Sequence, residues 1–316
     1  MGHTPDGVGQ REARSWLDKG IKVIDYSGDF RFNDPETYSG YAARIGKPQQ
    51  HASPDLLPRS VYGLAELHRK EIARSDLVGN PGCFAVSCIL GLSPALKSGL
   101  IETDSIICDA KTGVSGAGKT PSPTFHYPAR YDAMNAYRVS GHQHVYEIER
   151  ECTLVAGRDI RVTFTPHVIP LCRGILTTIY GRLKDGAAIR SIEEAYRSSY
   201  AKDGFVRVYG PGKALTTADV RGSNFCNLSL NVDERTGRLI VISMIDNILR
   251  PLLIEGKIRM HTMIVFFSIM GGIAYFGLLG MVFGPIIVAL GLTLLEVYKI
   301  EARTSLRPIV HPSGEE

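Results

Sequence analysis

From Met260 to Leu295 the chain carries no Asp, Glu, Lys or Arg. No other stretch restricts the fold as hard. A bilayer core about 30 Å thick is spanned by about 20 apolar residues, so the run suits one long span or a tight hairpin of two. Gly271, Gly272, Gly277, Gly280, Gly284 and Pro285 are poor choices for a helix in water, but small residues are common where membrane helices pack closely. Lys257 and Arg259 precede the run, and Lys299, Arg303 and Arg307 follow it. With basic residues at both ends, a hairpin with both termini in the cytoplasm is expected. The alternative is a buried core helix of a large soluble domain.

The remainder reads differently, and the mean hydropathy of −0.01 is the average of two unlike pieces. Lys and Arg number 36 against 32 Asp and Glu. That balance lacks the clustered positive charge that phosphate backbones demand, so no nucleic-acid partner is expected. The N-terminus, MGHTPDGVGQREARSWL, has no apolar signal-peptide core. Cysteines at 83, 88, 108, 152, 172 and 226 form no C-x-x-C pair. This argues against a structural metal site and for reduced thiols in the cytosol. Most should be buried as small hydrophobes.

Short strands are expected at 21–24, 76–79 and 105–110, with helices at 64–73, at 84–92 ending near Pro94, and at 144–156. Residues 28–54 read as a polar loop. Further on, 160–165 and 175–183 read as strands, 191–200 as a helix, and 225–232 with 239–243 as a hairpin. Strands interleaved with helices first and a hairpin later give an α/β region followed by a mixed sheet.

Three motifs carry chemistry. In the first, Asn80-Pro81-Gly82-Cys83 follows a strand and opens a helix. A thiol there faces the partial positive charge and free N–H groups of a helix N-terminus, as a covalent nucleophile requires. A buried cysteine beside an ordinary turn is the competing reading. In the second, His167 sits between Pro166 and Pro170 at a strand end, six residues before Arg173. The first suits acid/base work and the second a carboxylate or phosphate. In the third, Gly113 to Thr120 spells the G-x-x-x-x-G-K-T of a nucleotide-binding loop. That loop must open a helix, and Pro121-Ser122-Pro123 opposes one. These glycines are better read as letting the backbone approach a ligand.

Taken in order, VIDYSGDFRF, HASPDLLPRSVYGLAELHR, LVGNPGCFAVS, DAKTGVSGAGK, SGHQHVYEIE, FTPHVIPLCRG and VRGSNFCNLSL resemble the N-acetyl-gamma-glutamyl-phosphate reductase family, from about Thr4 to Asn247. The resemblance implies an NADP-dependent enzyme of arginine biosynthesis, a homo-oligomer acting on a small acyl phosphate. Cys83 would form the thioester and His167 would act as acid/base. Arg31 would bind the substrate phosphate and Arg173 would lie near the substrate. Ser115, Gly116 and Asn247 would lie by the cofactor. The family's G-x-x-G-x-x-G turn, which holds the dinucleotide pyrophosphate, has no counterpart before Gly20, and Val86 stands where the family favours Thr.

From Ile245 onward, IDNILRPLLI and GGIAYFGLLGMVFGPIIVAL resemble the autoinducer-exporter-like permease family. The expected organisation is a remnant of a Rossmann domain (1–79), a catalytic domain with a mixed sheet of the glyceraldehyde-3-phosphate-dehydrogenase type (80–243), a membrane-type helical hairpin (244–300) and a polar tail (301–316). An enzyme with the cofactor loop missing, a permease fragment with a soluble passenger, and a non-functional fusion all remain open at this point.

Overall fold

A computed structural model describes residues 6–117 and 122–246, together with scattered positions between 267 and 288. It divides into two units, residues 1–254 and 255–316.

The first unit opens with α1 (Gly9–Leu17), β1 (Val23–Asp25), α2 (Pro35–Arg44), β2 (Val61–Tyr62), α3 (Ala65–Arg74) and β3 (Leu77–Gly79). The three strands form a parallel sheet in the order β1-β3-β2. Phe30, Phe32, Tyr38, Tyr41, Leu57 and Leu77 close its core. The helix α2 lies within the stretch expected to be loop. Its start is written in Asp34-Pro35: the Asp34 carboxylate accepts the Thr37 N–H at 2.7 Å, and proline takes the first turn.

A larger sheet follows. The elements are α4 (Cys83–Lys97), β4 (Ile106–Thr112), α5 (Tyr127–Arg130), β5 (Asn135–Ala136), α6 (His144–Ala156), β6 (Val162–Val168), β7 (Ile175–Arg182), α7 (Ile189–Ser199), β8 (Val206–Tyr209), β9 (Cys226–Asp233) and β10 (Arg238–Ile245). The order is β5-β6-β4-β7-β10-β9-β8. The sheet is mixed: β4 runs parallel to β6 and antiparallel to β7, and β9 and β10 form the expected hairpin. Strand residues alternate between the two faces. One face buries Cys108, Phe164, Ile179 and Val241 against α4, α6 and α7. The other carries half-exposed Asp109, Lys111, His167, Thr178 and Tyr180.

The helix α4 passes through Pro94 rather than ending there. Proline has no N–H, so the carbonyl four residues earlier loses its helical partner. That carbonyl belongs to Leu90, and the Tyr200 hydroxyl donates to it at 2.6 Å. The Tyr196 hydroxyl donates to the next carbonyl, Gly91, also at 2.6 Å. Two phenols from the α7 region therefore complete α4 from outside.

All six cysteines are free; Cys88, Cys108, Cys152 and Cys226 are buried, Cys83 is half-buried and Cys172 is exposed. In the second unit, described residues from 267 to 276 are helical, and Phe267, Met270 and Phe276 are exposed. Among the described residues no helix is long and apolar enough to cross a membrane. Most of the expected hairpin lies outside the described residues.

Replacing Tyr200 by Phe removes only the hydroxyl and leaves the Leu90 carbonyl buried without its donor. Urea unfolding of Tyr200→Phe is expected to show a loss of about 1–3 kcal/mol. An unchanged midpoint would mean that the bond does not sustain the helix.

Candidate active site

The turn Asn80-Pro81-Gly82 leads from β3 into α4, and its backbone polar groups are tied down. The Asn80 N–H donates to the Asp25 carbonyl at 2.8 Å. The Asn80 carbonyl accepts Nε of Arg31 at 2.9 Å. The Gly82 N–H donates to Oε2 of Glu147 at 2.8 Å. Cys83 is the first residue of α4 after the cap Gly82. Its thiol is therefore held by a turn with little freedom at a helix N-terminus.

Glu147, on α6, is the centre of this arrangement. Besides the Gly82 N–H it accepts the Tyr62 hydroxyl at 2.8 Å and Nη1 of Arg31 at 2.9 Å. Arg31 and Glu147 are only 5% and 1% exposed, so neither charge is answered by water. Burial works against the Arg31 charge, but Glu147 together with Tyr41, Tyr62 and Asp6 more than offsets it and holds the guanidinium above its ordinary value. Burial, then the Glu147 charge, pushes the Tyr62 phenol well up, so it remains a donor. Arg31, expected to meet the substrate phosphate, is committed here to an internal carboxylate and a carbonyl.

Two imidazoles, His142 and His144, approach the residues that flank Cys83. A Cβ on Gly82 would collide with Nε2 of His144 and stand 2.8 Å from Oε1 of Glu147. His144 lies 3.9 Å from Glu147, one turn away on the same helix. His142 packs edge-on against Phe84, Tyr137, His144 and Phe164. Burial, followed by the neighbouring His144 and Arg138, brings its pKa down to about 3, so it is neutral near pH 7. Tyr137 is shifted upward by burial and by the nearby Cys83.

His167 is elsewhere. Phe164, three residues before it on β6, packs edge-on against Phe84 of α4, with ring centroids 5.5 Å apart. Alternation then turns His167 to the opposite sheet face. There its Nδ1 lies 3.2 Å from Asp109, in an open cavity of about 540 Å³ shared with Ile107, Thr165, Tyr180 and Arg238. The structure thus does not bring His167 to Cys83. The sequence reasoning passed over His144 and Glu147, although H-x-H-x-x-E within SGHQHVYEIE was the signal: residues three apart share a helix face.

Ser115 and Gly116 are exposed in a loop that lies along 171–174, with Val114 N–H on the Leu171 carbonyl and Ser115 N–H on the Cys172 carbonyl. Gly113 is needed for this contact, because a Cβ there would meet the backbone of residues 171–173. Arg173 is half-buried on the same paired loops. Asn247 and residues 118–121 lie outside the described residues; 123–125 form a 3-10 turn and α5 opens only at Tyr127.

A cavity of about 340 Å³ borders the thiol, lined by Tyr26, Asn80, Pro81, Cys83, Asn224 and Phe225 among others. Its aromatic and apolar side chains, with the amides of Asn80 and Asn224, are of the chemical kind that receives the ring and carboxamide of a nicotinamide.

Three family models match the chain. A model described as semialdehyde dehydrogenase, dimerisation domain, matches residues 83–247. One described as semialdehyde dehydrogenase, NAD binding domain, matches residues 3–75. A third, AI-2E family transporter, matches 237–300. N-acetyl-gamma-glutamyl-phosphate reductases of Bacillus cereus and Bacillus thuringiensis are 42% and 43% identical over 247 residues, 78% of this chain and 70% of theirs. Among solved structures, aspartate semialdehyde dehydrogenase II from Vibrio cholerae superposes with a TM-score of 0.56 at 12% identity, covering 78% of this chain and 74% of that one. The enzyme from Francisella tularensis gives 0.53 at 13%, covering 78% and 76%. At such identities the likeness concerns the fold.

Gly82 has an ordinary φ of −70°, so alanine is tolerated by the backbone and only its methyl group intrudes. Gly82→Ala is expected to push His144 away and slow alkylation of Cys83 about tenfold, while costing about 1–3 kcal/mol of stability. Residue-resolved mass spectrometry and urea unfolding check both; an unchanged alkylation rate would detach His144 from the thiol.

Proposed function

The chain belongs to the N-acetyl-gamma-glutamyl-phosphate reductase family of phosphorylating semialdehyde dehydrogenases, and on that footing we propose that it reduces N-acetyl-γ-glutamyl phosphate to the semialdehyde with NADPH, in arginine biosynthesis. The observation that carries this reading is the helix-opening Cys83, preceded by Gly82 against which His144 and Glu147 pack, beside a cavity lined by aromatic, apolar and amide side chains.

In this reading His144 takes the proton from Cys83. The sulfur attacks the acyl carbon, forming a C–S bond as the C–O bond to phosphate breaks and inorganic phosphate leaves. NADPH, when bound, supplies the hydride that turns the thioester into an aldehyde. His144 returns its proton as the C–S bond breaks, restoring the thiol. Asn80 and Asn224 would face the nicotinamide, with Ser115, Gly116 and Asn247 as further cofactor contacts. Arg173 would bind an anionic end of the substrate, and Arg31 would act through Glu147. His167 is retained as a candidate that the test below compares with His144. The dimerisation-domain match supports a homo-oligomer, in which a second copy of the chain would cover the half-exposed sheet face.

The reverse reaction, phosphate-dependent reduction of NADP with N-acetylglutamate semialdehyde, tests the proposal in the full chain. Activity is expected to vanish in Cys83→Ser and to fall about 10²–10⁴-fold in His144→Gln, with His167→Gln much less affected. Activity surviving in Cys83→Ser would overturn the thioester route. The opposite ranking of the two histidines would restore His167 as the acid/base.

For residues 260–295 we propose membrane contact. The charge-free run and the transporter match over 237–300 support it. The full chain should then resist extraction of cell membranes with alkaline carbonate; release into the supernatant would count against it.

A further inference from the structure

The helix α6 presents a second sealed carboxylate one turn beyond Glu147. Glu151 is 0% exposed and has two partners, Nε2 of His68 at 2.5 Å and the guanidinium of Arg150. His68 belongs to α3 and is the one residue within it that leaves helical geometry, at φ −118° and ψ 26°. Its ring stands edge-on to Tyr62, with centroids 6.2 Å apart and planes at 86°. Tyr62 in turn donates to Glu147, and Glu147 holds the Gly82 N–H that caps the nucleophile helix. His68 is itself 24% exposed and borders a separate cavity of about 370 Å³ with Glu66, Ser93, Lys97 and Tyr200.

We infer that His68 is a positioning residue for the thiol: by holding Glu151 and flanking Tyr62, it fixes the face of α6 from which Glu147 anchors the Gly82–Cys83 turn. The inference rests on Cys83 being the nucleophile. Its physical basis is the cost of an unpaired buried carboxylate. Without the His68 N–H, Glu151 keeps one cation and turns toward the cavity or takes up a proton. Either response shifts α6 by its next turn, where Glu147 sits. Nothing in this chain of contacts places His68 within reach of substrate, so its effect falls on the rate of reaction at sulfur and not on substrate binding.

The test uses the full chain with His68→Leu, which fills the space without a donor, and His68→Gln, which keeps an N–H directed at Glu151. Cys83 alkylation by iodoacetamide is followed by residue-resolved mass spectrometry, with exposed Cys172 as internal reference. The semialdehyde assay supplies kcat and KM. His68→Leu is expected to lower both the Cys83 rate and kcat about tenfold, with KM within about twofold, and His68→Gln to recover most of the loss. Two outcomes would overturn the inference: unchanged rates in His68→Leu, or equal losses in both variants that track their thermal midpoints. If His68→Leu does not fold, Glu151→Gln takes its place, with a fall in the Cys83 rate supporting the inference and an unchanged rate overturning it. Wild-type Cys83 no more reactive than Cys172 would overturn the nucleophile reading itself, a result distinguishable from any change among the variants.

Discussion

One carboxylate joins the two halves of the first unit. Glu147 sits on a helix that packs against the mixed sheet, yet its partners Arg31 and Tyr62 come from the parallel-sheet half and Gly82 from the turn between the halves. A buried ion pair of this kind adds little net stability compared with an apolar equivalent, but losing one partner costs about 3–5 kcal/mol. Its value here is geometric. Three donors arriving from three segments allow the carboxylate one position, and that position fixes the turn carrying the thiol. Tyr62 remains a donor because burial and the adjacent charge keep its phenol protonated. The same carboxylate also borders His144, so the anchor of the turn and the proposed acid/base lie within one helical turn.

Much of this was legible in the sequence, where a local rule suffices. The helix 144–156 and the hairpin 226–245 follow from periodicity and turn chemistry. The helix-opening cysteine follows from strand, Asn-Pro-Gly and apolar run in succession. The helix α2 could have been read from Asp34-Pro35, but its mean polarity concealed it. The placement of His167 was also recoverable: Phe164, Pro166 and Val168 point inward, so the intervening histidine must point away. A motif reading weighs residue type and neighbours, not strand parity.

What no local rule supplies is the pairing across distance. Arg31 and Glu147 are 116 positions apart and Tyr62 and Glu147 are 85 apart. An arginine in S-G-D-F-R looks equally suited to an external phosphate or an internal carboxylate. The choice is made by tertiary packing, which brings a sealed glutamate within reach before any ligand arrives. The same holds at Pro94, where the local expectation of a helix end is correct chemistry answered by a donor from elsewhere.

That distant donor has a temporal side. The hydroxyl that completes α4 lies 110 residues downstream of the carbonyl it satisfies. A chain emerging from a ribosome can form the first turns of α4 early, but the portion around Pro94 must wait until Tyr200 has been made and has docked. Closing so long a loop is slow compared with winding a helix. Until then the half of α4 that follows Leu90 is an exposed apolar segment without its full set of hydrogen bonds. The order in which this enzyme is synthesised therefore sets a window in which the helix bearing its thiol is only half built, and in which a chaperone would find the most to hold.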